Sequence, residues 1–188
     1  MEESVKRDIL NILEEGIKAI NENNISKLKE LSDHTLHDAG IFQDKESVTI
    51  AVVMYSLGKI YERPRYKDYK DWGLFSNNVL TKLRLAADYL NKNDLKGYEI
   101  NIKEIFNFVE KLSSKLKDYA KEVIEKAKVS KASRLHEHGL SLGRTAEILG
   151  ISKWELSQYV GGTGIADVDE NMTKDIKTRL KFTRGLFA

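Results

Sequence analysis

Ser141–Val160, SLGRTAEILGISKWELSQYV, is the stretch from which the rest of the chain is read. Ala146 stands four positions before Gly150, Ile151 and Ser152 follow at once, and Leu156 comes four residues after Ser152. Two short helices that cross steeply need a small side chain where they touch, and Ala146 supplies it. Reversing the chain within a few residues favours glycine, which enters left-handed φ/ψ without strain. Ile151 closes the turn over the core. Ser152 suits the N-cap of the second helix, because its hydroxyl accepts from a free amide of the first turn. Leu142, Ala146 and Leu149 line one face of the first helix, and Leu156, Tyr159 and Val160 the matching face of the second.

This is the spacing of a helix-turn-helix. On a DNA-binding reading, the second helix, about Lys153–Val160, enters the major groove. With Leu156, Tyr159 and Val160 turned inward, its outward residues are Ser152, Lys153, Trp154, Ser157 and Gln158. Gln158 carries the adjacent donor and acceptor that read adenine, and Lys153 reaches guanine or a phosphate. Ser141, Arg144 and Thr163 lie where the first helix and the following loop meet the DNA backbone, so they position rather than specify. The competing reading is a packing module in which Trp154 folds back on Tyr159 or docks on another domain.

Gly150, Ile151, Ser152, Trp154 and Glu155 form a Gly-hydrophobic-Ser-x-Trp-Glu run. Residues 134–167 resemble helix-turn-helix regions generally. Their second half, GISKWELSQYVGGTGIAD, is similar to small archaeal and cyanobacterial antitoxin-type regulators. That resemblance implies DNA binding and a PIN-domain ribonuclease toxin as a protein partner. It covers none of residues 1–130, although the whole chain has the look of an archaeal helical protein.

Composition narrows the remaining classes. The 188 residues contain no cysteine, which excludes disulfides, thiolate catalysis and cysteine-type zinc sites. The single proline, Pro64, and abundant Lys, Glu, Ile and Leu point to an all-α protein. No apolar run approaches membrane length and no secretory signal is read, so a cytoplasmic location is expected. The net charge is only +2, but it is unevenly spread: Lys126 to the end carries 11 Lys/Arg against 7 Asp/Glu. The basic excess falls on the part containing the helix-turn-helix, as a nucleic-acid contact requires.

Along the chain, residues 4–22 form an amphipathic helix with Val5, Ile9, Ile12, Leu13, Ile17 and Ile20 at helical spacing. A second helix spans roughly 26–40. Asp44 caps a third that runs toward Arg63 and is stopped by Pro64; its sequence, SVTIAVVMYSLGKIY, is apolar nearly all round and reads as the central core helix. Residues 65–92 give one or two helices broken near Trp72–Asn78, followed by a polar turn at Asn91–Asp94. From Glu99 to Val129, Ile102, Ile105, Val109, Leu112, Leu116, Tyr119 and Val123 recur at spacings of three and four, a heptad seam on one helix. The seam packs within the bundle or against its own copy, the former being preferred. Thr173 caps a last helix bearing Ile176, Leu180 and Phe187. No internal repeat is read.

Outside the helix-turn-helix, His34 and His37, with Asp38, fall on one helical face at metal-ligand spacing. The preferred reading is that the imidazoles hydrogen-bond inside the bundle, with no metal and no cofactor. Tyr66, Tyr69 and Trp72, interleaved with basic residues, read as a core or interface stripe rather than a base-stacking platform. The chain is therefore expected to be all-α, with a helical bundle over 1–128 and a helix-turn-helix region over 129–188. The expected function is sequence-specific binding of double-stranded DNA in transcriptional regulation, as a homodimer and not as an enzyme. A metal-binding protein or enzyme centred on His34 and His37, and a protein-interaction adaptor, are the alternatives.

Overall fold

A computed structural model describes residues 1–42, 44–63, 67–112 and 114–162, without the side chains of 36–42, 114, 161 and 162. Among the described residues the chain is all-α, with helices α1 (Glu3–Asn21), α2 (Ile25–Phe42), α3 (Lys45–Tyr61), α4 (Trp72–Asn91), α5 (Leu95–Val109), α6 (Ser114–Glu137), α7 (Leu142–Leu149) and α8 (Lys153–Gly162). None is long and apolar enough to cross a membrane. Pro64, Tyr66, Thr163 and the segment containing Thr173, Ile176, Leu180 and Phe187 lie outside the described residues.

The core forms around α3. Asp44 caps it, accepting from the Ser47 amide at 2.7 Å, and 12 of its 17 residues are buried. A helix so apolar must be covered on several sides, and α1, α2, α6 and α7 all pack against it. Where α1 meets α3 the approach is close: a Cβ on Gly16 would fall 2.8 Å from the Met54 thioether.

One turn is used twice. Asn23 and Asn93 both occupy the left-handed region, at φ 55° and 59°, which asparagine tolerates better than most side chains. The next residue caps the following helix in each case, Asn24 accepting from Lys27 N at 3.1 Å and Asp94 from Gly97 N at 2.8 Å. The preceding helices share their buried positions at the same offset: Val5, Ile9, Leu13, Gly16 and Ile20 in α1 correspond to Phe75, Val79, Leu83, Ala86 and Leu90 in α4. These two helices pack on each other, as do α3 and α6. The chain thus holds a repeat that the sequence reading did not find.

Two further expectations are corrected. There is no break at Trp72–Asn78; Trp72 starts α4, and its ring meets Tyr61 edge-on at 4.8 Å and Phe75 at 5.9 Å. Trp72 and Tyr69 are packed against the core, as the stripe reading holds. The seam from Ile102 to Val123 lies on two helices, because α5 ends at Val109 and α6 starts at Ser114. All seven of its side chains pack in the bundle's own core. Its period survives the break because both helices face the same interior.

Candidate nucleic-acid interface

The last helices are built from turn chemistry upward. α6 closes with Gly139 at φ 95° and with the His136 Nδ1–H donating to the Leu140 carbonyl at 2.8 Å. Ser141 caps α7, accepting from the Arg144 amide at 3.2 Å, and the Thr145 hydroxyl donates to the Ser141 carbonyl at 3.0 Å. Gly150 then takes the left-handed conformation, φ 64° and ψ 35°, its amide donating to Glu147 O while Ile151 N donates to Ala146 O. Two carbonyls at the end of α7 are satisfied by this reversal. Ser152 caps α8, accepting from Glu155 N at 3.0 Å.

Ala146 and Leu156 are buried together with Ala132 of α6, and Leu142, Leu149, Ile151 and Val160 close around them. The three helices therefore touch through two alanines and one leucine. Burying that leucine stabilises by about 1.5–3 kcal/mol. A second small cluster ties the unit to the bundle: Leu135, Leu140 and Ile148 meet Val48 and Ala51 of α3. Beside it the Lys131 side chain is 1% exposed, its ammonium 2.7 Å from Asp33 and 4.3 Å from the centre of the Tyr55 ring. Arg134 also reaches Asp33, at 2.6 Å. Burial holds the Lys131 ammonium below its ordinary range, with the Asp33 bond opposing.

α8 is held by a narrow stripe. Leu156 is buried and Val160 half-buried, while Lys153, Trp154, Glu155, Ser157, Gln158 and Tyr159 are exposed. The inward placing of Tyr159 is corrected: its side chain is 41% exposed. At one hundred degrees per residue, Tyr159 stands on the flank of the stripe, where it lines an open groove together with Glu155 and Gln158. Trp154 does not fold back; it is 71% exposed. Lys153 runs along the opposite flank, so that a Cβ on Gly143 would lie 3.3 Å from its Nζ.

The expected contact residues therefore separate by place. Lys153, Trp154, Ser157 and Gln158 are all exposed on α8, with Lys153 on the flank against Gly143 and Gln158 beside the groove. Ser141 and Ser152 are exposed at the two caps, and Arg144 sits on α7 in an ion pair with Glu147 at 3.1 Å. Thr163 lies outside the described residues. His34 is exposed on α2, next to the Asp33 that pairs with Lys131 and Arg134, and the side chains of His37 and Asp38 are not described. Among the described residues no three His, Cys, Asp or Glu side chains gather at metal-binding distance. Sequence reasoning missed Lys131 and Asp33 as the clamp behind the unit, because nothing local marks a pair so far apart in the chain. Comparison with protein-family profiles, curated proteins and solved structures gives no match.

Proposed function

We propose that the chain binds double-stranded DNA sequence-specifically through α8, with α7 and α8 acting as a helix-turn-helix in transcriptional control. The observation that carries the reading is how little of α8 serves to hold it. Leu156 and Val160 anchor the helix, and a capped, left-handed turn fixes its entry, so Lys153, Trp154, Ser157 and Gln158 project from a rigid support. Gln158, exposed beside the groove, supplies the bidentate amide for adenine, and Lys153 a guanine or phosphate contact. Trp154 offers an apolar face for a thymine methyl. Arg144 exchanges Glu147 for a phosphate at little cost, since an exposed ion pair contributes at most about 1 kcal/mol.

A single head touches few base pairs, so pairing of two chains on a palindromic site belongs to the proposal. The buried seam of α5 and α6 does not supply that interface. No catalysis is assigned, and the site of action is the cytoplasm. A second reading, in which α8 docks a toxin-type protein, draws on the same exposed Trp154.

Fluorescence anisotropy with a random duplex pool tests the proposal. Affinity is expected to fall steeply between about 50 and about 200 mM salt, and Arg144→Ala to flatten that dependence. Absence of salt-dependent binding to any duplex would overturn it in favour of protein docking.

A further inference from the structure

Between the C-terminal half of α3, the middle of α6 and the flank of α8 lies an open groove of about 750 Å³. That volume suits a drug-sized organic molecule rather than an ion or a water. Three tyrosines stand in its walls among charged side chains, Tyr55 from α3, Tyr119 from α6 and Tyr159 from α8, with Val123 and Val129 also lining it. Two of the rings already attract cations, since the Arg63 guanidinium lies 4.7 Å from the centre of Tyr119 and the Lys131 ammonium 4.3 Å from that of Tyr55. The ring of Tyr159 carries no such neighbour among the described residues.

The charges around the groove compensate one another, with one exception. Glu62 is held by Lys29 at 2.6 Å and by Lys59 at 3.3 Å, Glu122 by Lys126 at 2.5 Å, and Glu125 by Lys128 at 2.8 Å. The lining cations Lys59 and Lys126 are thereby engaged, and Arg63 rests on Tyr119. Glu155, one turn before Tyr159 on α8, lines the groove with no ion pair among the described residues. The other carboxylates of the site are paired, and its walls carry three tyrosines.

We propose that this groove is a small-molecule site for a planar aromatic organic cation. Such a ligand stacks on Tyr159, covers Val123 and Val129, and places its positive charge at the Glu155 carboxylate; π faces and a lone carboxylate both favour a cation over an anion. The assignment needs no DNA contact, although Gln158 of the DNA reading also lines the groove.

Calorimetric titration of the full chain, without DNA, uses berberine as a planar aromatic cation and 8-anilinonaphthalene-1-sulfonate as an aromatic anion of similar size. One berberine per chain is expected to bind, and the sulfonate to bind at least about tenfold more weakly, the scale of one charge contact near a protein surface. Glu155→Gln, an exposed and isosteric change, is expected to weaken berberine about five- to tenfold, and Val123→Trp to abolish the heat by filling the groove. Equal binding of the two probes, no berberine binding, or berberine binding unmoved by Glu155→Gln would overturn the proposal. The Glu155→Gln arm decides even if Val123→Trp fails to fold.

Discussion

Lys131 and Asp33 make an ion pair with unequal partners, because the lysine side chain is sealed from water and the aspartate half-exposed. Removing the anion leaves a buried ammonium with only the Tyr55 ring for company, whereas removing the lysine leaves an aspartate that Arg134 still holds. Asp33→Asn is therefore expected to cost about 2–3 kcal/mol in urea unfolding and Lys131→Met less than about 1 kcal/mol. Equal losses would show that the pair acts symmetrically. The same lysine sets a pH dependence. Its pKa is lowered from 10.5 in the folded chain, so the folded state binds fewer protons than the unfolded over the alkaline window ending at that value. Stability from this group must rise as pH climbs through the window, and Lys131→Met is expected to remove that rise. Gly150 gives a simpler case. A Cβ there would meet nothing within 4 Å, so Gly150→Ala isolates backbone strain and is expected to cost about 1 kcal/mol, with Gly150→Asn costing less. This glycine and the Ser152 cap were legible in the sequence because their chemistry is local, whereas Ser141, read there as a backbone contact, emerges as the α7 cap only in the structure. Tyr159 was not, since a residue at the edge of an apolar stripe is assigned by what lies beside it.

At the scale of elements, the break between α5 and α6 shows where periodicity misleads. The residues between them, Glu110 to Ser113, include neither proline nor glycine, and two helices facing one interior keep the three-and-four spacing of a single seam. The helices around α3 were readable from apolar runs and from the Asp44 cap. The repeated turn was not, because Asn23–Asn24 and Asn93–Asp94 look like ordinary polar turns until their conformations and the buried positions before them are set side by side. Leu116 tests the intramolecular seam. It is 1% exposed within the chain's own core, so Leu116→Ala is expected to cost about 2–5 kcal/mol. Loss of that size with the light-scattering mass of the folded variant unchanged supports packing inside one chain; a variant that keeps its stability but falls to the mass of one chain would place the seam between chains.

Across the whole molecule, α6 is the part that joins everything. Its first half completes the bundle, its second half carries Ala132 and Leu135, and it runs through residue 128 without interruption. The capped pair α7 and α8 is thereby fixed to the bundle through Val48, Ala51 and the Lys131 clamp, rather than tethered to it. On the proposed reading, a rigid head of this size needs a second copy, and light scattering at micromolar concentration is expected to give twice 21.5 kDa. A mass of one chain would remove the paired-head geometry. The central claim, that α8 reads DNA sequence, is tested most directly by selecting bound duplexes from a random pool with the full chain and rebinding the winners to Gln158→Ala. The account predicts one enriched site of two inverted halves about ten base pairs apart, with an adenine preference that the variant relaxes at a loss of about 1–3 kcal/mol. A selected pool no different from its input, or an enriched site bound equally well by Gln158→Ala, would contradict it.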